Sequence, residues 1–186
     1  EVLGMSPIPV GMVPPENAHA NIGMHRTLPP LHSRQLKALC SHRVRNGPQW
    51  QPRKYVTELC RQDWSGFATL VEQEISLEEY RRELIRHTFC LCVEGGGLDP
   101  SPKAWDAILH GCIPIVKKTP LASAYSLLPV AFVEDWTAES VTKEKLQAWR
   151  EEFAPAFADT GKRDEVLRRL SLDFWWNAVL MLANIT

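Results

Sequence analysis

The stretch FCLCVEGGGLDPSPKAWDAILHGCIPIV, residues 89–116, decides the fold. It opens with an apolar run that is typical of a buried strand, and a glycine loop follows. A helix comes next, with Ser101 predicted as its N-cap, Pro102 at its first position and Gly111 at its end. The run CIPIV then predicts a second buried strand. Strand, loop, helix and strand in this order make half of a nucleotide-binding α/β fold, with the loop at the edge where such sheets bind ligands.

Helices and strands alternate on both sides of this stretch. Because parallel strands need helical crossovers, the order predicts an α/β fold, a Rossmann-like parallel sheet with helices on both faces. Residues 1–35 are predicted to be an extended linker segment, and residues 36–186 the α/β domain. Strands are predicted at 36–44, 67–73, 88–93, 112–116 and 129–136, and helices at 53–62, from a capping box at Ser76, at 102–111, 121–128, 138–153 and 162–183.

Composition excludes several classes of protein. The 186 residues carry a net charge of −1, so no overall field favours nucleic acid or an anionic membrane surface. Pro7 and Pro9 interrupt the first apolar residues, which argues against a signal peptide. The longest apolar run begins at Phe174 and is too short to span a bilayer, so no membrane span is expected in this chain.

The five cysteines lie mostly inside apolar runs, which predicts buried free thiols. Free thiols are typical of a reducing compartment, so a cytoplasmic location is favoured over the Golgi lumen, while the lumen stays open. Cys90 and Cys92 flank one residue but have no partners at metal-ligand spacing. The histidines His19, His25 and His32 lie in the irregular leading segment, so no metal site is expected.

The glycine loop suggests a site for a diphosphate. Gly95, Gly96 and Gly97 follow the buried strand directly and let the backbone approach a ligand closely. The helix that begins near Ser101 points its free N–H groups toward the same crevice. The pattern is neither G-x-G-x-x-G nor a P-loop, so phosphoryl transfer from ATP is disfavoured. The alternative is that the glycine run forms only a tight turn.

Lys103 and Asp106 lie three residues apart, on one face of the predicted helix. A carboxylate at Asp106 is placed to accept hydrogen bonds from a ribose diol, while the start of the helix holds phosphate. The alternative is an ordinary ion pair on the surface of the helix.

This segment resembles the donor-binding motif of exostosin-like glycosyltransferases of the GT-B class. The resemblance covers roughly residues 36–180 and also includes the sequence around Leu128 and Asp135. The motif residues present in this chain are Gly95, Gly97, Asp99, Lys103, Trp105, Asp106, Ala107, Gly111, Ile113, Pro114 and Ile115.

The resemblance implies the C-terminal, donor-binding half of a GT-B enzyme. Such an enzyme transfers a sugar from a nucleotide diphosphate sugar, of UDP or GDP type, to a hydroxyl of a glycan or other acceptor, without a metal or further cofactor. Asp106 is then expected to bind the ribose, and the loop with Asp99 and Ser101 to face the diphosphate sugar. A second, N-terminal Rossmann-like half is the implied partner.

The family pattern is not matched everywhere. Lys103 stands where the family usually has Arg, and Asp106 where it usually has Glu. No residue of the chain is identified as the catalytic base. A non-catalytic α/β module that binds a nucleotide or another phosphorylated ligand is therefore the alternative function.

Basic residues near the first predicted strand are the remaining candidates. Arg43 and Arg53 are the preferred pair, with Arg45 third, because they lie where the carboxyl end of a parallel strand meets the same crevice. In enzymes that this chain resembles, a basic residue in this region neutralises the leaving diphosphate. The alternative is that these are solvated loop charges. Asp135 is predicted either to bind a sugar hydroxyl or to cap the next helix.

Overall fold

The computed structural model describes residues 28–98, Pro100 and residues 102–183. Asp99, Ser101 and residues 1–27 of the predicted linker segment lie outside the described residues. Short 3-10 turns join some of the elements, and Gly111 has a φ of 71°, as its predicted place after a helix requires. The elements are β1 (Gln35–Cys40), α1 (Gln51–Arg61), β2 (Ala68–Leu70), α2 (Leu77–Arg86), β3 (His87–Leu91), α3 (Lys103–Leu109), β4 (Ile113–Lys117), β5 (Ala131–Val133), α4 (Lys143–Phe153), α5 (Thr160–Arg169) and α6 (Leu172–Ala183).

The strands form one five-stranded sheet in the order β2-β1-β3-β4-β5, and every neighbouring pair is parallel. The predicted Rossmann-like α/β fold is therefore confirmed. The chain leaves β1 toward β2 and then crosses back to β3, with Leu39 of β1 opposite Cys90 of β3. The gap between β1 and β3 is thus the point where the order of the sheet reverses, and ligands bind at such points in open α/β sheets.

The two faces of the sheet are covered by separate apolar layers. Phe89 and Leu91 pack in one layer with residues of α1 and α4. Cys90 and Cys92 point to the other face, where they pack with residues of α2, α3 and α5. Burial on both faces explains why residues 89–93 are apolar at every position rather than alternating. All five thiols are free and buried, as predicted.

Helix ends follow the sequence signals in some places and not in others. The capping box at Ser76 is confirmed, since its hydroxyl accepts from the Glu79 N–H and the Glu79 carboxylate accepts from the Ser76 N–H. The single helix predicted over 162–183 is wrong, because the chain forms α5 and α6 instead. Ser171 lies at the break, where its hydroxyl accepts from the Phe174 N–H at 3.2 Å and starts a new helix.

Residues 28–34 belong to the predicted linker segment but pack against the domain. Arg34 is buried, and its guanidinium donates to the carbonyl oxygens of Leu84 at 3.3 Å and His110 at 2.9 Å. These carbonyls belong to the ends of α2 and α3. Arg34 therefore fixes the start of β1 to the helices on one face of the sheet.

Candidate functional site

A cleft of about 1030 Å³ lies at the carboxyl ends of β1, β2 and β3. The loops after β1 and β2, parts of α1 and α2 and the start of α3 form its walls. The topology of the sheet brings these segments together, because parallel strands place all their carboxyl ends at one edge. Four of the predicted site residues line this cleft: Arg43, Arg53, Lys103 and Asp106.

Lys103 and Asp106 lie in the first turns of α3 and are both half-buried. Burial lowers the pKa of the Lys103 ammonium and raises the pKa of the Asp106 carboxyl to about 6, while Arg81 and Lys103 act in the opposite direction on Asp106. Within the described residues, neither side chain has an ion-pair or hydrogen-bond partner. The alternative of a surface ion pair between them is therefore wrong. Two opposite charges instead face the cleft, partly withdrawn from water.

Arg53 joins the loops that follow β1 and β3. Its Nε donates to the carbonyl oxygens of Val93 and Glu94, each at 3.3 Å, and its Nη1 donates to the carbonyl oxygen of Arg43 at 3.4 Å. The guanidinium also lies over the ring of Trp50, 4.8 Å from the centroid. Burial lowers the pKa of Arg53. Arg53 is thus an ordered cation at the reversal point of the sheet, and the alternative of a solvated loop charge does not describe it.

Arg43 is held more loosely than Arg53. Its side chain is exposed and pairs with Glu74, which comes from the loop after β2. Such exposed pairs contribute little to stability. Arg45 lies above the ring of Trp50, with its guanidinium carbon 5.4 Å from the centroid. Arg43 and Arg53 therefore reach the same cleft, Arg43 as an exposed, ion-paired cation and Arg53 as a partly buried, hydrogen-bonded one.

Gly95 is packed against neighbouring side chains, whereas Gly96 and Gly97 border open space. A Cβ on Gly95 would lie 2.6 Å from the ring of Trp50 and 2.7 Å from Nη2 of Arg53, so glycine is needed there for internal packing. A Cβ on Gly96 or Gly97 would meet nothing within 4 Å. None of the three has a positive φ. They lie beside the cleft rather than along its wall, and the open space at Gly96 and Gly97 is where a ligand could approach the backbone.

His42 and Thr57 organise the wall around Arg53. The His42 Nε2 lies 2.9 Å from the carbonyl oxygen of Arg53 and 3.0 Å from the Thr57 hydroxyl, which donates to the same carbonyl at 2.8 Å. These contacts hold the first turn of α1 against the loop after β1. The role of Thr57 could not be predicted from the sequence, because nothing in its helical context distinguishes it from a surface threonine.

Two hydroxyl groups of the cleft were also missed from the sequence. Ser41 and Tyr80 line the cleft, and their hydroxyl oxygens are buried without a hydrogen-bond partner among the described residues. Burial raises the pKa of the Tyr80 hydroxyl, and the neighbouring Cys90 and Cys92 thiols and then Asp106 raise it further. The sequence pattern assigns Tyr80 to the apolar face of α2, where its ring does pack. The period of a helix gives no information about what its hydroxyl group meets.

A second polar cluster lies at the carboxyl ends of β3, β4 and β5. The indole Nε1 of Trp136 donates to the Glu94 carboxylate at 2.9 Å. Asp135 accepts from the Trp136 N–H at 2.8 Å and pairs with Lys117 at 2.8 Å. Asp135 therefore has local partners, but the prediction that it caps the next helix is wrong, because the N-cap of α4 is Thr142. Glu94 is a carboxylate next to the glycine loop that the sequence did not identify.

No protein-family model matches this chain, and no curated protein sequence matches it. Within residues 28–98, 100 and 102–183, no group of three or more His, Cys, Asp or Glu side chains could hold a metal ion. In the same part of the chain, no helix combines the length and the apolar character needed to cross a bilayer. The function is therefore inferred from the geometry of the cleft.

Proposed function

We propose that this chain is the donor-binding half of a glycosyltransferase and binds a nucleotide diphosphate sugar in the cleft between β1 and β3. The observation that carries the proposal is the set of charges in that cleft. Arg43, Arg53, Lys103 and the partly desolvated Asp106 carboxylate line one cavity at the reversal point of the sheet, and they come from three segments: the loop after β1, α1 and α3.

The cations match a diphosphate. Arg53 is ordered by its contacts to Val93 and Glu94, and the partly buried Lys103 has no partner within the described residues. Charges that are partly withdrawn from water interact with an anion more strongly than solvated ones. Arg43 adds a third positive charge that can leave Glu74 for a better anion. The glycine positions Gly96 and Gly97 leave space for phosphate oxygens beside these cations.

The carboxylate matches a sugar hydroxyl. An ionised Asp106 offers two acceptor oxygens to a diol, and its position on α3 places it one turn beyond Lys103. A ribose bound at Asp106 would put the attached diphosphate toward Lys103 and the glycine loop. This arrangement is what the resemblance to exostosin-like enzymes implies for these two positions.

In the proposed reaction an acceptor hydroxyl oxygen attacks the anomeric carbon of the sugar. The bond from that carbon to the diphosphate oxygen breaks, and the nucleoside diphosphate leaves with the negative charge. The cations of the cleft stabilise this developing charge. The acceptor hydroxyl gives its proton to a base, which we assign to the second, N-terminal half of the enzyme together with the acceptor site.

Calorimetric titration tests the proposal directly. UDP, GDP and their sugar conjugates are titrated into the chain, and at least one nucleoside diphosphate is expected to bind. Asp106→Ala should weaken that binding about tenfold, because the diol loses a charged acceptor, without unfolding the domain. Asp63→Ala is the matched control, since Asp63 is exposed and lies outside the cleft.

The outcomes separate the two functions considered. If no nucleotide binds, both the glycosyltransferase proposal and the alternative of a nucleotide-binding module are wrong. Binding of a nucleoside diphosphate without binding of its sugar conjugates favours the binding module. Unchanged affinity in Asp106→Ala refutes the ribose contact while leaving nucleotide binding itself in place.

A further inference from the structure

Glu94 follows the buried run that continues β3 and stands directly before the glycine loop. Its Oε2 accepts from the indole N–H of Trp136 at 2.9 Å, and Trp136 is buried. Its Oε1 has no hydrogen-bond or ion-pair partner within residues 28–98, 100 and 102–183. Glu94 is only half-buried, and Oε1 is not among the unpaired oxygen atoms that the described residues seal from solvent. One oxygen of this carboxylate is therefore held in place, and the other is open to a ligand.

The negative charge of Glu94 is not required by its contact with Trp136. An indole N–H needs one acceptor, and a neutral amide oxygen supplies it as well as a carboxylate does. A half-buried carboxylate is also partly desolvated, which is unfavourable. Asp135, the neighbour of Trp136, differs, because it pairs with Lys117 and accepts from the Trp136 backbone N–H. Glu94 thus offers a charged acceptor that the described part of the fold does not use.

The Glu94 side chain lies next to the cation that the proposed function assigns to the diphosphate. Nε of Arg53 donates to the backbone carbonyl oxygen of Glu94 at 3.3 Å. Burial and then the Arg45 charge lower the pKa of Arg53, and the Glu94 charge raises it, so the two side chains interact electrostatically. Gly96 and Gly97, which border open space, follow Glu94 closely in the chain. A ligand that enters this space meets a guanidinium and a carboxylate side by side.

These two neighbouring charges match the order of groups in a nucleotide sugar. The anomeric carbon of the sugar is bonded to an oxygen of the terminal phosphate, so the sugar hydroxyls lie next to the diphosphate. A phosphate is attracted by Arg53 and repelled by Glu94. A sugar hydroxyl donates to an ionised carboxylate, and hydrogen bonds to charged groups are stronger than neutral ones. The group that fits against Glu94 is therefore the sugar rather than the diphosphate.

We propose that Glu94 binds a hydroxyl group of the donor sugar through Oε1, and that Trp136 positions the carboxylate for this contact. The inference rests on the proposed function and adds to it the sugar subsite. The diphosphate lies at Arg53, and the sugar lies over Gly96 and Gly97 with Glu94 at its edge. Glu94 thus distinguishes a nucleotide sugar from the bare nucleotide.

Calorimetric titration of Glu94→Gln tests this contact, because glutamine keeps the shape of the side chain and an oxygen for the Trp136 N–H. UDP, GDP, UDP-glucose and GDP-mannose are titrated into the unmodified chain and into the variant. The sugar conjugate should bind about tenfold less tightly to the variant, since a charged acceptor is lost. The nucleoside diphosphate should bind equally or up to about threefold more tightly, since a negative charge near the diphosphate is removed.

Trp136→Phe is the second variant, since it removes the indole N–H and keeps an aromatic ring. It releases Oε2 of Glu94, so the sugar conjugate should bind about threefold less tightly while the affinity for the nucleoside diphosphate stays unchanged. Glu134→Gln is the matched control, because it removes one negative charge from the same edge of the sheet. The Glu134 carboxylate is exposed and pairs with Lys118 at 3.0 Å, so this variant should change neither affinity.

Thermal unfolding separates a sugar contact from a structural role. Glu94→Gln should melt within about 2 °C of the unmodified chain, because the Trp136 N–H keeps its acceptor. A melting temperature lower by more than about 5 °C, with equal losses of affinity for the conjugate and the nucleoside diphosphate, would identify a structural carboxylate and overturn the inference.

Failure of this inference is distinct from failure of the proposed function. If the unmodified chain binds neither a nucleoside diphosphate nor a sugar conjugate, the proposed function is wrong and the sugar subsite falls with it. If the chain binds these ligands and Glu94→Gln keeps the affinity for the conjugate, or weakens both kinds of ligand equally, nucleotide binding stands and only the sugar subsite is wrong.

Discussion

Arg34, at the amino edge of the sheet, and Lys103, at its carboxyl edge, are both cations withdrawn from water, but among the described residues only Arg34 has hydrogen-bond partners. The Arg34 guanidinium donates to the carbonyl oxygens of Leu84 and His110 at the ends of two helices. No partner of Lys103 is present in the described part of the chain. Arg34 thus stabilises helix packing at the amino edge, whereas Lys103 makes no comparable contact within the described residues at the carboxyl edge.

The amino edge repeats this arrangement with Arg163. Its Nη2 donates to the carbonyl oxygens of Ile108 and Leu109, at 2.8 and 2.6 Å, at the end of α3. The last carbonyls of a helix lack partners within the helix and carry the negative end of its dipole, so a cation there is stabilising. Buried cations at the amino edge thus donate to helix-end carbonyls and stabilise the fold. Lys103 at the carboxyl edge makes no such contact within the described residues.

Replacing each of the two cations by Met should show that they differ in their contribution to stability. Arg34→Met should lower the free energy of unfolding by about 3 kcal/mol, since helix-end carbonyls become buried without donors. Lys103→Met should leave the free energy unchanged or raise it by about 1 kcal/mol, because it removes a partly desolvated charge and keeps the apolar stem. Urea unfolding followed by tryptophan fluorescence measures both.

Arg82→Met is the control for these two variants. Arg82 is exposed on α2 and pairs with Glu78 at 3.3 Å, so its loss should change stability by about 0.5 kcal/mol or less. The comparison fails if Arg34→Met costs no more than Arg82→Met, or if Lys103→Met destabilises the chain as strongly as Arg34→Met.

The amino and carboxyl edges of the sheet also differ in how much of their structure the sequence predicts. The alternation of strands and helices, the apolar character of β3 and the signals around Ser76 and Gly111 predicted the sheet, because these features are local. The same reasoning placed Arg53 and Lys103 at one crevice from topology alone. The bonds of Arg34 to Leu84 and His110 span 50 and 76 residues, and no local pattern predicts such contacts.

Within the carboxyl edge, a packed part and an open part of the glycine loop lie side by side. Gly95→Ala should lower the free energy of unfolding by about 2 kcal/mol, because its methyl group would displace Trp50 or break the contacts of Arg53. Gly96→Ala should be neutral or raise it by about 0.5 kcal/mol, since the site is open and its φ is not positive. Chemical denaturation of the two variants measures the difference.

Gly96→Val adds a ligand readout to this pair. The larger side chain also enters open space, so the domain should stay folded while nucleotide binding is lost if the diphosphate approaches the backbone there. Equal destabilisation by Gly95→Ala and Gly96→Ala would show that the loop is packed along its whole length. If Gly96→Val still binds nucleotide, the diphosphate does not lie against the backbone at Gly96.

The residues that sequence reasoning missed share one physical property. Ser41, Tyr80 and Glu94 matter through the atoms at the ends of their side chains, which depend on the arrangement of distant segments. Periodicity reports only which face of an element is buried, and it assigned Tyr80 correctly to an apolar face. The break between α5 and α6 was missed for a related reason, because the Ser171 hydroxyl competes with a helical pattern that continues on both sides.

The smallest expected effect concerns Asp106, a carboxylate of the cleft with no hydrogen-bond or ion-pair partner in the described part of the chain. Burial raises its pKa to about 6 from an ordinary value near 4, so between these values the folded chain binds more protons than the unfolded chain. Stability therefore falls as the pH rises through this window and stays lower above it. Asp106→Asn lacks this loss, and near neutral pH it should be more stable than the unmodified chain by about 1 kcal/mol, a value reduced by solvent screening at a half-buried site.

Urea unfolding at a series of pH values tests this sign. The stability difference between Asp106→Asn and the unmodified chain should vanish near about pH 4, grow toward about pH 6 and remain constant above it. Asp63→Asn, at an exposed aspartate outside the cleft, is the matched control. A variant that is less stable than the unmodified chain at neutral pH would mean that Asp106 is compensated in the fold as Arg34 is. The two edges of the sheet would then treat buried charge in the same way, and the cleft would lose the feature that sets it apart.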